Sequence, residues 1–152
     1  MLAEQAIAQA AIERAGIVCF PECFVPGYRG LGKVVPPPDP AFLQRAWSAI
    51  AEAAARASLA VVLGTERVVD NALFITALIV NPDGTIAGFQ DKVQMDPSEE
   101  GAYSPGSGRR VFQAGPLGRP ARSARRFPPS FPPGRARRLQ AFHLRRSREL
   151  IP

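Results

Sequence analysis

Gly16-Ile-Val-Cys-Phe-Pro-Glu-Cys-Phe-Val-Pro-Gly-Tyr-Arg-Gly30 joins a short apolar run to a proline, an acid and a glycine-rich loop. Ile17 to Phe20 is a short apolar run of the kind that forms a buried strand. Pro21 has no N–H to give a central ladder and ends it. Glu22 follows at once, an acid at the mouth of a strand. Working residues of α/β proteins stand at such places, because the strand fixes position and the loop gives access. Taken alone, the stretch favours an ordinary solvated carboxylate, the usual fate of a loop acid.

Before this stretch, Leu2 to Ala15 places Ile7, Ala11, Ile12 and Ala15 at helical spacing, with Gly16 as a stop. Gly30 to Pro40 reads as a long loop, locally extended at Pro36-Pro37-Pro38. Asp39-Pro40 is a capping acid followed by proline at the first helical position. It predicts a helix to about Ala57 with Phe42, Ala46, Trp47, Ile50 and Ala54 on its core face. Leu59 to Leu63 is a second buried strand closed by Gly64, and Asn71 to Val80 a third. Asn81-Pro82-Asp83-Gly84 is a turn, and Thr85 to Asp91 the returning strand of a hairpin. Lys92 stands where that strand gives way to loop. Ser98 to Arg110 is a polar loop, Val111-Phe112 opens a further strand, and Gly115-Pro116-Leu117 is a turn. The order predicts an α/β layer with helices covering a sheet.

A chain of 152 residues with 46% hydrophobic and 21% charged content suits one soluble domain. No apolar run reaches the roughly 20 residues that span a bilayer, and Met1-Leu-Ala-Glu-Gln lacks the features of a signal peptide. The expectation is a cytoplasmic chain with no membrane partner. Cys19 and Cys23 lie four apart and His143 is the single histidine, which suits neither a disulfide framework nor a zinc site. No cofactor is expected. The net charge of +6 is uneven: residues 1–115 hold nine basic and twelve acidic side chains, whereas 116–152 hold ten Arg, no Lys and one acid. Residues 118–152, mostly Arg, Pro, Ala, Ser and Gly, are predicted to be a disordered tail after a domain spanning 1–117. Ten Arg make nucleic acid or another anionic surface the alternative partner, with salt-sensitive affinity. Only Phe127, Phe131 and Phe142 are there to stack on bases, which argues against nucleic acid.

Glu22 and Lys92, both at strand ends, suggest a pair in which lysine holds developing negative charge while the carboxylate moves a proton. Around them Phe20-Pro21-Glu22, Pro26-Gly27-Tyr28, Asn81-Pro82-Asp83-Gly84, Asp91-Lys92-Val93 and Tyr103-Ser104-Pro105-Gly106 follow in order. Together they resemble the carbon–nitrogen hydrolase (nitrilase) superfamily over roughly Ala3 to Leu117. The resemblance implies a partial α-β-β-α sandwich of the nitrilase type, a homo-oligomer if folded, and a small-molecule amide, nitrile or N-carbamoyl substrate. It further implies a Glu-Lys-Cys triad: the Cys attacks, the Glu is general base, and the Lys supports the tetrahedral intermediate. By motif, Glu22 matches the Glu and Lys92 the Lys. A second Glu follows the Lys by a short loop; Glu100 is the choice for it, and its neighbour Glu99 stays open.

The departure concerns the thiol. The family nucleophile lies on a later strand, yet no cysteine follows Lys92. Cys19 is expected to pack inside its strand as a small apolar side chain. Cys23 abuts Glu22, whose charge disfavours a thiolate. The expectation is an inactive fragment without the first strand, the nucleophile strand and the second half of the sandwich. Its tail has the composition of GC-rich DNA read out of frame from near Leu117. Open sheet edges predict low solubility and a poorly cooperative thermal transition.

Overall fold

The computed structural model describes residues 2–29 and 33–113. The turn expected at 115–117, the domain boundary at 117 and the Arg-rich tail lie outside these residues. The elements in chain order are α1 (Leu2–Ile12), β1 (Ile17–Cys19), α2 (Pro40–Ala57), β2 (Ala60–Val69), β3 (Ala72–Val80) and β4 (Ile86–Asp91). The four strands form one sheet in the order β1-β2-β3-β4. β1 runs parallel to β2, and the other neighbours are antiparallel. This is the α/β class predicted, with one helical layer and one sheet layer of the expected sandwich.

The Asp39-Pro40 signal works as read: the Asp39 carboxylate accepts from the Phe42 N–H at 3.0 Å, with Pro40 in the first turn. At the other end Ser58 turns left-handed (φ 50°), and its N–H satisfies carbonyls of the last turn. Because side chains alternate along strands, Val61, Leu63 and Thr65 of β2 share a face with their partners Val80, Leu78 and Thr76 of β3. Leu43, Ala46, Trp47, Ile50 and Ala54 of α2 pack with Val61, Leu63, Leu78 and Val80 in one core. Each large apolar side chain there contributes about 1.5–3 kcal/mol by burial. The opposite sheet face carries Val62, Gly64 and Glu66 against Ile79, Ala77 and Ile75.

Several local expectations are corrected. α1 ends at Ile12, before a left-handed Arg14 (φ 59°), and does not run on to Gly16. Ala3 and Ile7 join the core while Ile12 is 75% exposed. On α2, Leu43 is buried where Phe42 was expected; a one-residue step rotates a helical side chain by about 100°. Cys19 is exposed rather than packed inside: its partner in the register is Val62, so it stands on the sheet face turned away from the helices. Gly64 does not close β2, which continues to Val69. A Cβ at Gly64 would collide with the Pro21 carbonyl and come within 2.8 Å of the Glu22 Cα. The glycine serves a backbone crossing rather than a strand end. β2 returns to β3 through Asp70 and Asn71, both at positive φ, the geometry of a tight hairpin turn. Val111 and Phe112 form no strand, and Phe112 lies over Gly88 of β4.

Candidate active site

Glu22 stands on an excursion within one strand line. β1 pairs with β2 up to Cys19↔Val62, the chain leaves at Pro21, and it returns to β2 at the parallel bridge Val25↔Thr65. The return is held by Val25 N–H to the Gly64 carbonyl (3.3 Å) and Glu66 N–H to the Val25 carbonyl (3.0 Å). The tip of the excursion closes as a turn, Phe24 N–H to the Pro21 carbonyl at 3.2 Å. Lys92 follows β4 directly, and its N–H still donates to the Ile75 carbonyl of β3 at 2.8 Å. The sheet thereby sets both residues on the side away from the helices.

There the two meet. The Lys92 Nζ lies 3.1 Å from Glu22 Oε1 and 2.8 Å from Glu99 Oε1. Glu99, not Glu100, reaches the lysine. A short turn opens at Asp96, whose carboxylate accepts from Ser98 and whose carbonyl accepts from the Glu99 N–H. That turn directs Glu99 inward, its side chain 2% exposed, and leaves Glu100 on the surface. The Glu99 carboxylate also accepts from the Tyr28 hydroxyl (2.9 Å) and the Asp96 N–H (2.8 Å). Burial works against its charge, yet Lys92, the Asp96 N–H and Tyr28 outweigh it and hold the carboxyl below the usual range. Burial likewise opposes the Lys92 charge, but hydrogen bonds to Glu99 and Glu22 raise its pKa above the ordinary lysine value. The side chain of Glu22 is 48% exposed, open to a small molecule. It lines a groove of about 250 Å³ with Lys92, Phe20, Val62, Ile75 and Gln90.

A second cluster lies beside the first. Glu66, fully buried, accepts both prongs of the Arg29 guanidinium (2.6 and 2.9 Å) and the Tyr103 hydroxyl (2.9 Å). The Arg29 N–H donates to the same Tyr103 oxygen at 3.0 Å. Tyr103 stacks on Tyr28, ring centres 6.3 Å apart, which joins the two clusters. The Cys23 sulfur is 3.9 Å from the Tyr103 oxygen. Since the single Tyr103 proton goes to Glu66, the Cys23 thiol is the donor. Burial pushes that thiol up to about 12, so it is protonated at neutral pH. Neither Glu66 nor Arg29 was singled out from the sequence. The available signal was a charged pair, Glu66-Arg67, inside an apolar run, hidden once Gly64 is read as a strand end. Among the described residues no group of three His, Cys, Asp or Glu could hold a metal ion, and no helix is long and apolar enough to cross a membrane.

The family model for carbon-nitrogen hydrolases matches residues 1–122. The chain belongs to the carbon-nitrogen hydrolase family. An arylacetonitrilase of Arthroderma benhamiae is 32% identical over an alignment of 113 residues, with coverage of 67% of this chain and 34% of that protein. Among solved structures, a cysteine-to-alanine mutant of the amidase from Nesterenkonia sp. AN1 with butyramide is 25% identical. It superposes with a TM-score of 0.61 over 70% of this chain and 41% of its own. A glutamate-to-glutamine mutant of the same amidase carries the acetamide moiety of fluoroacetamide on its active site cysteine. It shares the fold at 24% identity and a TM-score of 0.60, over 70% of this chain and 41% of its own. The carbon-nitrogen hydrolase chain described here thus spans about a third of the curated relative and two fifths of the solved structures.

Proposed function

We propose that Glu22, Lys92 and Glu99 are the proton-moving and charge-holding part of a site for small amides, nitriles or N-carbamoyl compounds. The observation that carries this reading is the Lys92 ammonium held between two carboxylates, one buried and one open to a groove. In a hydrolase of this kind a thiol adds to the amide carbon and its proton passes to Glu22. The negative charge that develops on the former carbonyl oxygen faces Lys92. Glu22 then returns the proton to the departing nitrogen. Glu99 acts through Lys92 as a positioning residue, keeping it charged and aimed.

The thiol is what these 152 residues do not supply. No cysteine follows Lys92, Cys19 is exposed on the edge strand, and Cys23 is buried with its proton. The proposed activity of this chain by itself is therefore binding without turnover. Ammonia release from small amides and nitriles by the purified chain tests it, with none expected. Turnover that disappears in Glu22→Ala would overturn the inactivity. Failure of small amides to bind, or binding indifferent to Lys92→Met, would overturn the assignment of the site.

A further inference from the structure

We infer that Arg109 and Arg110 form an anion-accepting flank of the Lys92 groove, suited to a small amide whose far end carries a carboxylate. The inference rests on the reading of Glu22 and Lys92 as the amide-handling end. A second cavity, of about 410 Å³, adjoins the first: Gln90 and Lys92 line both, and Arg109 and Arg110 line the second. The flank is built onto the sheet edge. The Gln90 amide donates to the Gly108 carbonyl (2.9 Å) and accepts from the Arg110 N–H (2.6 Å). The Gly106 N–H donates to the Lys92 carbonyl at 2.8 Å. Two fixed points on β4 and Lys92 thus carry the arginine pair alongside the groove.

Charge matching identifies what is left over. Lys92 is already matched by Glu22 and Glu99. Asp91, which also lines the second cavity, is held by Arg67 and by the Thr76 hydroxyl at 2.6 Å. Among the described residues, no carboxylate forms an ion pair with Arg109 or Arg110, and both are exposed. Two unmatched guanidinium groups beside a groove accept a carboxylate through charge-assisted, forked hydrogen bonds. Phe20, Val62, Ile75 and Ala77 give the first cavity an apolar wall suited to a short methylene spacer.

Succinamate and butyramide share a four-carbon skeleton and differ in a terminal carboxylate against a methyl group. NMR titration of the full chain at low salt, following Lys92 and Glu22, compares them. Succinamate is expected to bind about five- to tenfold more tightly, the yield of a few partly exposed charge-assisted bonds. In the double variant Arg109→Ala/Arg110→Ala, succinamate falls to the butyramide level while butyramide is unchanged. If that variant does not fold, about 0.5 M salt on the native chain must erase the preference. Equal binding of the two ligands, or a preference that survives the double variant, overturns the anion flank and leaves the Glu22–Lys92 reading standing. If neither ligand perturbs Lys92 or Glu22, both fall.

Discussion

Glu66 and Glu99 invite comparison, since each is a buried carboxylate that meets one cation and one tyrosine hydroxyl. Glu66 is closed. Its cation is the planar fork of Arg29, bound through both prongs, with a side chain 13% exposed. Hydrogen bonds with Glu66 raise the Arg29 pKa, so the guanidinium keeps its charge. Glu99 instead holds a lysine, a point charge on a flexible stem that is 29% exposed and shared with Glu22. The same inventory of charges therefore does two jobs. A guanidinium sealed on its acid ties the segment beyond Val25 to β2, whereas an ammonium shared between two carboxylates keeps one side toward the groove.

Removing the sealed acid should have the largest effect. Glu66→Ala leaves Arg29 and the Tyr103 hydroxyl without their carboxylate and is expected to cost about 3–5 kcal/mol, read by chemical denaturation. A loss below about 1 kcal/mol would show that the fork is not what ties the segment beyond Val25 to β2. Glu99→Gln keeps the shape and removes the charge facing Lys92; a cost of about 1–3 kcal/mol is expected near neutral pH. The sign of its pH dependence follows from the shifts. Glu99 is held below its ordinary 4.5, so its contribution is present above about pH 4.5 and fades as pH falls through the lowered value. Lys92 is raised above 10.5, so its contribution is present below that and fades as pH rises past it. The stability gap between native protein and Glu99→Gln should hold between these limits and narrow at both ends. The smallest effect belongs to Glu100→Gln, expected within about 0.5 kcal/mol of native and without influence on amide binding. A larger loss there would place Glu100 back in the site.

What could be read from the sequence follows from how local each cause is. Asp39-Pro40 carries its own cap, so the start of α2 was legible, as were Trp47, Ile50 and Ala54 on its buried face. Glu22 and Lys92 were linked by short motifs, and the fold brings the two side chains together from positions 70 residues apart. Choosing between Glu99 and Glu100 needed the direction of a single turn at Asp96, which the distance along the chain from Lys92 does not encode. Glu66 was missed for a nonlocal reason. Gly64 looks like a strand end, but its cause is the Pro21–Glu22 backbone crossing it from 42 residues upstream. The face that Cys19 takes, opposite Val62 and away from the helices, is likewise a property of the assembled sheet.

Trp47 packs on Phe89 and donates to the Thr65 hydroxyl at 3.0 Å, and that hydroxyl donates to the Glu66 carbonyl at 3.0 Å. It is the chain's one tryptophan, and the two tyrosines are Tyr28 and Tyr103. Both phenols thus donate to a clustered carboxylate, and the indole reaches only the Glu66 main chain, through Thr65 from the helix side of the sheet. The protein carries its own optical reporters: near-ultraviolet dichroism of the two tyrosines follows the carboxylate clusters, while tryptophan emission follows the core between α2 and the sheet, both without a label.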